Sequence, residues 1–145
     1  MYLVDTNVLS AGAPTKAQAA PGLTEWMEVH ASELMLSVIT VAEIEDDIAK
    51  ALREGASRKA GRLAEWLGTL LHLYSARILP LDIAAARRLG GLSDLARAAG
   101  HAPGFADLAI AATADIRGLT ILTRNLRHFS VLGVAALDPF DQLPG

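Results

Sequence analysis

Tyr2-Leu3-Val4-Asp5-Thr6-Asn7 opens the chain, and the reading of these residues decides the fold. The three residues Tyr2, Leu3 and Val4 are β-prone and mainly apolar, and they read as a short buried strand. The polar trio that follows at once delivers a carboxylate to the strand's carboxyl end. In open α/β sheets, ligands sit at that end. The simpler reading is a cap, because Asp, Thr and Asn all serve as N-caps of a following helix. Chemistry becomes the stronger reading only if other acids reach the same rim.

Outward from this stretch, residues 11–22 read as a loop rich in Ala, Gly and Pro, and residues 24–30 as a helix with Leu23, Trp26 and Met27 on one side. Residues 34–39 form the second strand candidate. Thr40 then opens a helix with Val41, Ile44, Ile48 and Leu52 on its apolar face, broken by Gly55 and Ser57. Leu63, Trp66, Leu67, Leu70, Leu71 and Tyr74 recur at core-facing helical spacing. Residues 78–81 read as a third strand, which Pro80 confines to an edge or a strand end. Residues 83–99 are Ala-rich and helical, with Gly90-Gly91 as a weak point. After a loop over 100–104, Pro103 suits the first turn of a helix over 105–116, closed by Gly118. Residues 119–123 are the clearest strand, Arg124-Asn125 form a polar turn, and residues 131–137 read as an edge strand. Strands alternating with helices predict a mostly parallel sheet covered on both faces.

The strand ends of a parallel sheet share one rim. Asp5 follows the first strand, Glu43 lies in the first turn after the second, Asp107 in the first turn of a later helix, and Asn125 just past the fourth strand. Each has a plain alternative. Thr40-Val41-Ala42-Glu43 has the pattern of a capping box. Asp107 complements a helix N-terminus, and Asn125 is an ordinary turn residue. Brought together, three carboxylates repel, and burial raises their pKa values. A divalent cation relieves both effects, and oxygen donors without His or Cys favour Mg²⁺ or Mn²⁺ over Zn²⁺.

Composition narrows the classes. The chain has 145 residues, 52% hydrophobic and 20% charged, which suits one domain over residues 1–145 with an ample core. Cys is absent, so disulfides and thiolate metal sites are excluded. No signal-peptide pattern and no run long enough to span a bilayer is present, so a cytoplasmic protein without membrane contact is expected. A net charge of −3 leaves no basic coat, and nucleic acid would need a local patch. Lys50, Arg53, Arg58, Lys59 and Arg62 are the densest basic cluster, equally readable as a solvated helix face. Arg124 and Arg127 lie near the acids. His30, His72, His101 and His128 are dispersed and read as surface or hydrogen-bonded residues.

Four stretches in order carry a resemblance: residues 2–10, residues 37–44, residues 105–114, and residues 119–125 with His128-Phe129 after them. Over nearly its whole length the chain resembles the PIN domain, in particular the VapC-type toxins of bacterial toxin–antitoxin pairs. The resemblance implies a PIN-like three-layer α/β fold, with a short, mostly parallel sheet of four or five strands flanked by helices. It implies a Mg²⁺- or Mn²⁺-dependent endoribonuclease with Asp5, Glu43 and Asp107 as its acidic triad and Asn125 at a fourth site. Asp5 and Asp107 would ligate the metal, Glu43 would complete the metal site by holding a metal-bound water or help orient the nucleophile, and Thr6, Thr123 and Asn125 would supply supporting hydrogen bonds. The implied partners are RNA, a second copy of the chain, and an antitoxin with a DNA-binding domain. Asp47 stands where relatives often carry Gly, adding charge one turn from Glu43, and neutral Asn125 would hold a second cation less firmly.

Other classes fit less well. A phosphoacceptor domain needs a Lys after a late strand, and none follows Lys59. A haloacid-dehalogenase-type phosphatase needs Asp where Asn7 stands. A nucleotide-binding domain needs a Gly-rich phosphate loop, which is absent. The remaining rival is a degenerate PIN domain that binds RNA or protein without cleavage.

Overall fold

In the computed structural model, which describes residues 1–13 and 21–145, β1 (Tyr2–Val4) lies at the centre of a five-stranded sheet. Its neighbours are β2 (Leu34–Ser37) and β4 (Thr120–Leu122), with β3 (Ile78–Leu79) and β5 (Ala136–Leu137) at the edges. The order is β3-β2-β1-β4-β5, and every pairing is parallel. All five strands therefore end on one rim. The chain leaves β1 for β2 on one side, and β4 joins β1 on the other. This reversal of strand order is where open α/β sheets leave a crevice.

Helices cover both faces: α1 (Thr6–Leu9), α2 (Pro21–Val29), α3 (Val38–Arg53), α4 (Ser57–Tyr74), α5 (Ile83–Ala98), α6 (Phe105–Arg117) and α7 (Leu126–Ser130). The two-residue period of a strand decides which face each apolar residue serves. Leu3 and Ile121 point into a core with Leu92, Ile110 and Phe129, beneath α5, α6 and α7. Val4 and Leu122 point the other way, to Val8, Trp26, Ile44 and Leu67 on α1, α2, α3 and α4. Burying each such large side chain contributes about 1.5–3 kcal/mol. Residues 108–114 of α6 are all buried, and their four alanines let the helix lie close to its neighbours. Gly118 ends α6 at φ +64, a left-handed position that glycine takes without a Cβ clash, and its N–H reaches back to Ala114 and Asp115.

Several sequence boundaries shift. The loop expected over 11–22 falls partly on residues 14–20, which lie outside the described residues. The helix expected at residue 24 begins at Pro21. β2 ends at Ser37 and α3 begins at Val38 rather than Thr40, because the Ser37 hydroxyl accepts from Ile39 N at 3.0 Å and caps the helix there. β3 keeps only Ile78–Leu79, since Pro80 has no N–H for a ladder, and it is an edge strand as the proline required. Gly90-Gly91 does not interrupt α5. The stretch after Asn125 holds a helix the sequence reading missed, α7, and the edge strand expected over 131–137 is confined to Ala136–Leu137. Among the described residues no helix is long and apolar enough to cross a membrane.

Candidate active site

Asp5 satisfies both of its readings. It is the N-cap of α1, with its Oδ1 accepting from Thr6 N at 2.8 Å, and it stands at the carboxyl end of the central strand. Its Oδ2 accepts from the Thr123 hydroxyl at 2.8 Å. Thr123 Oγ1 accepts in turn from Asn125 N at 3.0 Å. Asn7 Oδ1 accepts from Arg124 N at 3.2 Å, a second tie between the exits of β1 and β4. Asp5 is 5% exposed and Thr123 is fully buried, so the carboxylate is held from below and walled from water.

Glu43 reaches the same rim from the first helix after β2. Thr6 Oγ1 donates to Glu43 Oε1 at 2.5 Å. Thr6 Oγ1 also lies 2.9 Å from Thr40 Oγ1. A hydroxyl has one proton, so with Thr6 donating to Glu43 the buried Thr40 must donate to Thr6. Three side chains thus form a directed chain from Thr40 through Thr6 to Glu43. The capping-box pattern is overturned here: Thr40 lies inside α3, and Glu43 bonds a side chain of α1 instead of the Thr40 backbone.

Asp107 sits in the first turn of α6, whose N-cap, Gly104, offers no side chain. A carboxylate there meets the positive end of the helix dipole. Asp107 Oδ2 lies 2.9 Å from His128 Nδ1, on α7. Sequence reasoning set His128 among the dispersed histidines. The three-residue step from Asn125 to His128 carried the signal only once α7 is known to fold the segment back over α6. Asn125 itself stays exposed, at the N-cap position of α7, and its side chain makes no capping bond.

Burial pushes the Asp5 carboxyl above its ordinary value of 3.8, opposed by the Thr123 and Thr6 hydrogen bonds, with Asp107 and Glu43 each adding repulsion. The structure therefore brings Glu43 and Asp107 each within electrostatic reach of Asp5, with Thr123 and Thr6 as hydrogen-bond supports of Asp5 and Thr6 of Glu43. Oxygen-only donors, one of them buried beside two like charges, suit a hard divalent cation. Among the described residues, no three His, Asp or Glu side chains stand close enough together to enclose an ion as they lie. Glu43 Oε1 accepts from Thr6 and Asp107 Oδ2 meets His128, which leaves the second oxygen of each carboxylate without a protein partner among the described residues.

The basic residues divide. Lys50, Arg53, Arg58, Lys59 and Arg62 are all exposed around the turn joining α3 to α4. Lys50 and Lys59 line a pocket there together with Asp47 and Glu54, so charges of both signs meet at this turn. Arg124 lies over the Phe140 ring, 4.4 Å from its centroid. Arg127 lines a cleft with Asp107 and His128.

Comparison with known proteins agrees with this architecture. The chain is 34% identical to VapC ribonuclease Y4jK of Sinorhizobium fredii over 144 residues, 97% of this chain and 99% of that one. It is 34% identical to Toxin FitB of Neisseria gonorrhoeae over 142 residues, again 97% and 99%. The solved structure of FitAB bound to IR36 DNA fragment superposes with a TM-score of 0.83 at 32% identity, covering 97% of this chain and 96% of that one. The PIN domain profile matches residues 2–134. A parallel sheet with its acids gathered at one rim, and a family match over nearly all of its length, place the chain in the PIN domain family.

Proposed function

We propose that residues 1–145 form one domain acting as a Mg²⁺- or Mn²⁺-dependent endoribonuclease, the toxin of a toxin–antitoxin pair. The observation that carries this reading is the convergence of Asp5, Glu43 and Asp107 at the strand-order reversal, where both other acids raise the Asp5 pKa. The ribonuclease and toxin names of the relatives support the class of activity.

Asp5 and Asp107 would hold the cation, and Glu43 would orient a water beside it. A bound cation supplies a water of lowered pKa and positive charge opposite the phosphate. Thr123 and the Thr6 backbone keep Asp5 in one rotamer, and the Thr40–Thr6 chain aims Glu43. Such supports fix the orientation of ligand carboxylates. Asn125, whose backbone N–H is tied to Thr123, would serve as a neutral fourth group.

The partners proposed for this chain are a second copy of itself and an antitoxin with a DNA-binding domain; the solved structure of FitAB bound to a DNA fragment supports an association with DNA. Light scattering at micromolar concentration tests the dimer, and a monomer contradicts it. Binding of RNA or protein without cleavage is the second reading, favoured by one observation, that the acids as they lie do not enclose an ion. Incubating single-stranded RNA with the purified chain, with Mn²⁺ and then with excess chelator, decides between them. Cleavage that chelator stops supports the nuclease, and RNA bound but intact under both conditions supports the binder.

A further inference from the structure

Asp5 accepts from Thr6 N and from the Thr123 hydroxyl, and Glu43 accepts from the Thr6 hydroxyl. Asp107 has a single side-chain partner among the described residues, His128, whose Nδ1 stands 2.9 Å from Asp107 Oδ2. An ionised carboxylate only accepts, so Nδ1 carries the proton and donates. The turn between β4 and α7 sets where His128 stands. The Thr123 hydroxyl accepts from Asn125 N at 3.0 Å, and Asn125 O accepts from His128 N at 3.0 Å. Hydrogen bonds therefore lead from Asp5 through Thr123 and Asn125 to His128, and from its ring to Asp107. Two acids distant in sequence are tied to one turn. The next residue, Phe129, is fully buried in the core it shares with Ile110 and Ala111 of α6. A helix of five residues does not hold itself, so that ring seats α7 and fixes the place from which His128 reaches. The plain reading of His128 and Asp107 is a surface pair. Their side chains are 51% and 24% exposed, and such a pair adds little stability. Its position gives it another use, because it is the one side-chain hold on an acid of the cluster whose Oδ1 has no protein partner among the described residues. Both residues line one cleft, of about 540 Å³.

We propose that His128 is a positioning residue of the acidic cluster: its Nδ1–H holds Asp107 Oδ2 and leaves Oδ1 for the cation, and the Thr123–Asn125 turn that carries it also holds Asp5. The inference rests on the metal-dependent ribonuclease reading for its ligand. Donors that orient a ligand carboxylate change the affinity of a metal site without touching the metal. The role needs no change of charge on the ring, since the neutral imidazole can carry its proton on Nδ1.

The test measures Mn²⁺ binding to the full chain by calorimetry without RNA, melting in chelator, and cleavage of single-stranded RNA in Mn²⁺. His128→Leu and His128→Asn are the informative pair. The two side chains have nearly the same shape, and only the Asn amide puts an N–H where Nδ1 stands. His128→Leu should weaken Mn²⁺ binding about tenfold or more and lower cleavage in parallel, with melting in chelator near wild type. His128→Asn should bind Mn²⁺ close to wild type. On an Asp107→Asn background, His128→Leu should weaken Mn²⁺ binding no further, because the residue it acts through is already changed. Wild-type Mn²⁺ affinity in His128→Leu, equal loss in the Leu and Asn variants, or the same loss with and without Asp107 overturns the proposal. Should His128→Leu not fold, His128→Ala takes its place, and loss of the fold in both makes His128 a stability residue and overturns the proposal too. Wild type whose Mn²⁺ binding depends on His128 but which cleaves no RNA retains the positioning role and contradicts the nuclease. RNA cleavage with Mn²⁺ affinity indifferent to His128 contradicts the positioning role alone, and a chain that neither binds Mn²⁺ nor cleaves RNA contradicts both.

Discussion

The Thr123 hydroxyl donates to Asp5 Oδ2 at 2.8 Å, joining side chains 118 positions apart in sequence. Both groups are buried, and the same Thr123 oxygen accepts from Asn125 N. One hydroxyl therefore ties the end of the central strand to the end of β4 and to the start of α7.

Thr123→Val keeps the shape and removes that tie. Asp5 Oδ2 and the Asn125 N–H both lose a partner, and a buried unpaired group costs about 1–3 kcal/mol. A denaturant midpoint lowered by that order is expected. The Asp5 carboxyl should also titrate higher, because the hydrogen bond that opposes burial is gone. Carboxyl NMR titration in chelator checks the second effect. An unchanged Asp5 titration contradicts the role given to Thr123.

The pH dependence of the metal-free protein follows from Asp5. Its folded pKa is raised above 3.8, chiefly by burial, so the folded state keeps a proton that the unfolded chain has released. That contribution is fully present below pH 3.8 and is lost as pH rises through the folded pKa. In chelator, wild type should lose stability across this window, and Asp5→Asn, which does not titrate there, should lose less. Mn²⁺ at neutral pH should raise the wild-type melting temperature, since a ligand of the folded state stabilises it. Parallel pH profiles for wild type and Asp5→Asn contradict the assignment.

Glu43→Gln separates folding from chemistry. The Gln amide oxygen can still accept from Thr6, so melting in chelator should shift by no more than about 1 kcal/mol equivalent. Loss of one charge from the cluster should lower cleavage by orders of magnitude. Near-wild-type cleavage returns Glu43 to a purely structural role.

The fold was legible where one pattern served one purpose. Leu3-Val4 and Ile121-Leu122 are short apolar runs facing two cores at once, and that doubly covered environment is what a parallel sheet imposes. Asp5 and Asp107 could be placed from the sequence because each lies at the start of a helix, whereas Glu43, expected in a first turn, is the sixth residue of α3 because the helix starts at Val38. The capping box read at Thr40–Glu43 did not form, because Ser37 caps α3 through Ile39 N and leaves Thr40 inside the helix, where its hydroxyl meets Thr6. α7 was missed because five residues carry too little periodicity, and its helix is held by Phe129 in the core beneath α6. With α7 went His128, whose contact with Asp107 spans 21 positions.

The most direct measurement is single-turnover cleavage of single-stranded RNA in Mn²⁺ by wild type and by Asp107→Asn, on protein shown to be folded by its melting transition. The Asp107 side chain is 24% exposed, unlike buried Asp5, so its substitution removes charge from the cluster without opening the core. The expected result is cleavage by wild type that chelator abolishes, and loss of cleavage by orders of magnitude in Asp107→Asn with its fold intact. Asp107→Asn cleaving at the wild-type rate, or wild type cleaving undiminished in chelator, contradicts a cation site built from Asp5, Glu43 and Asp107.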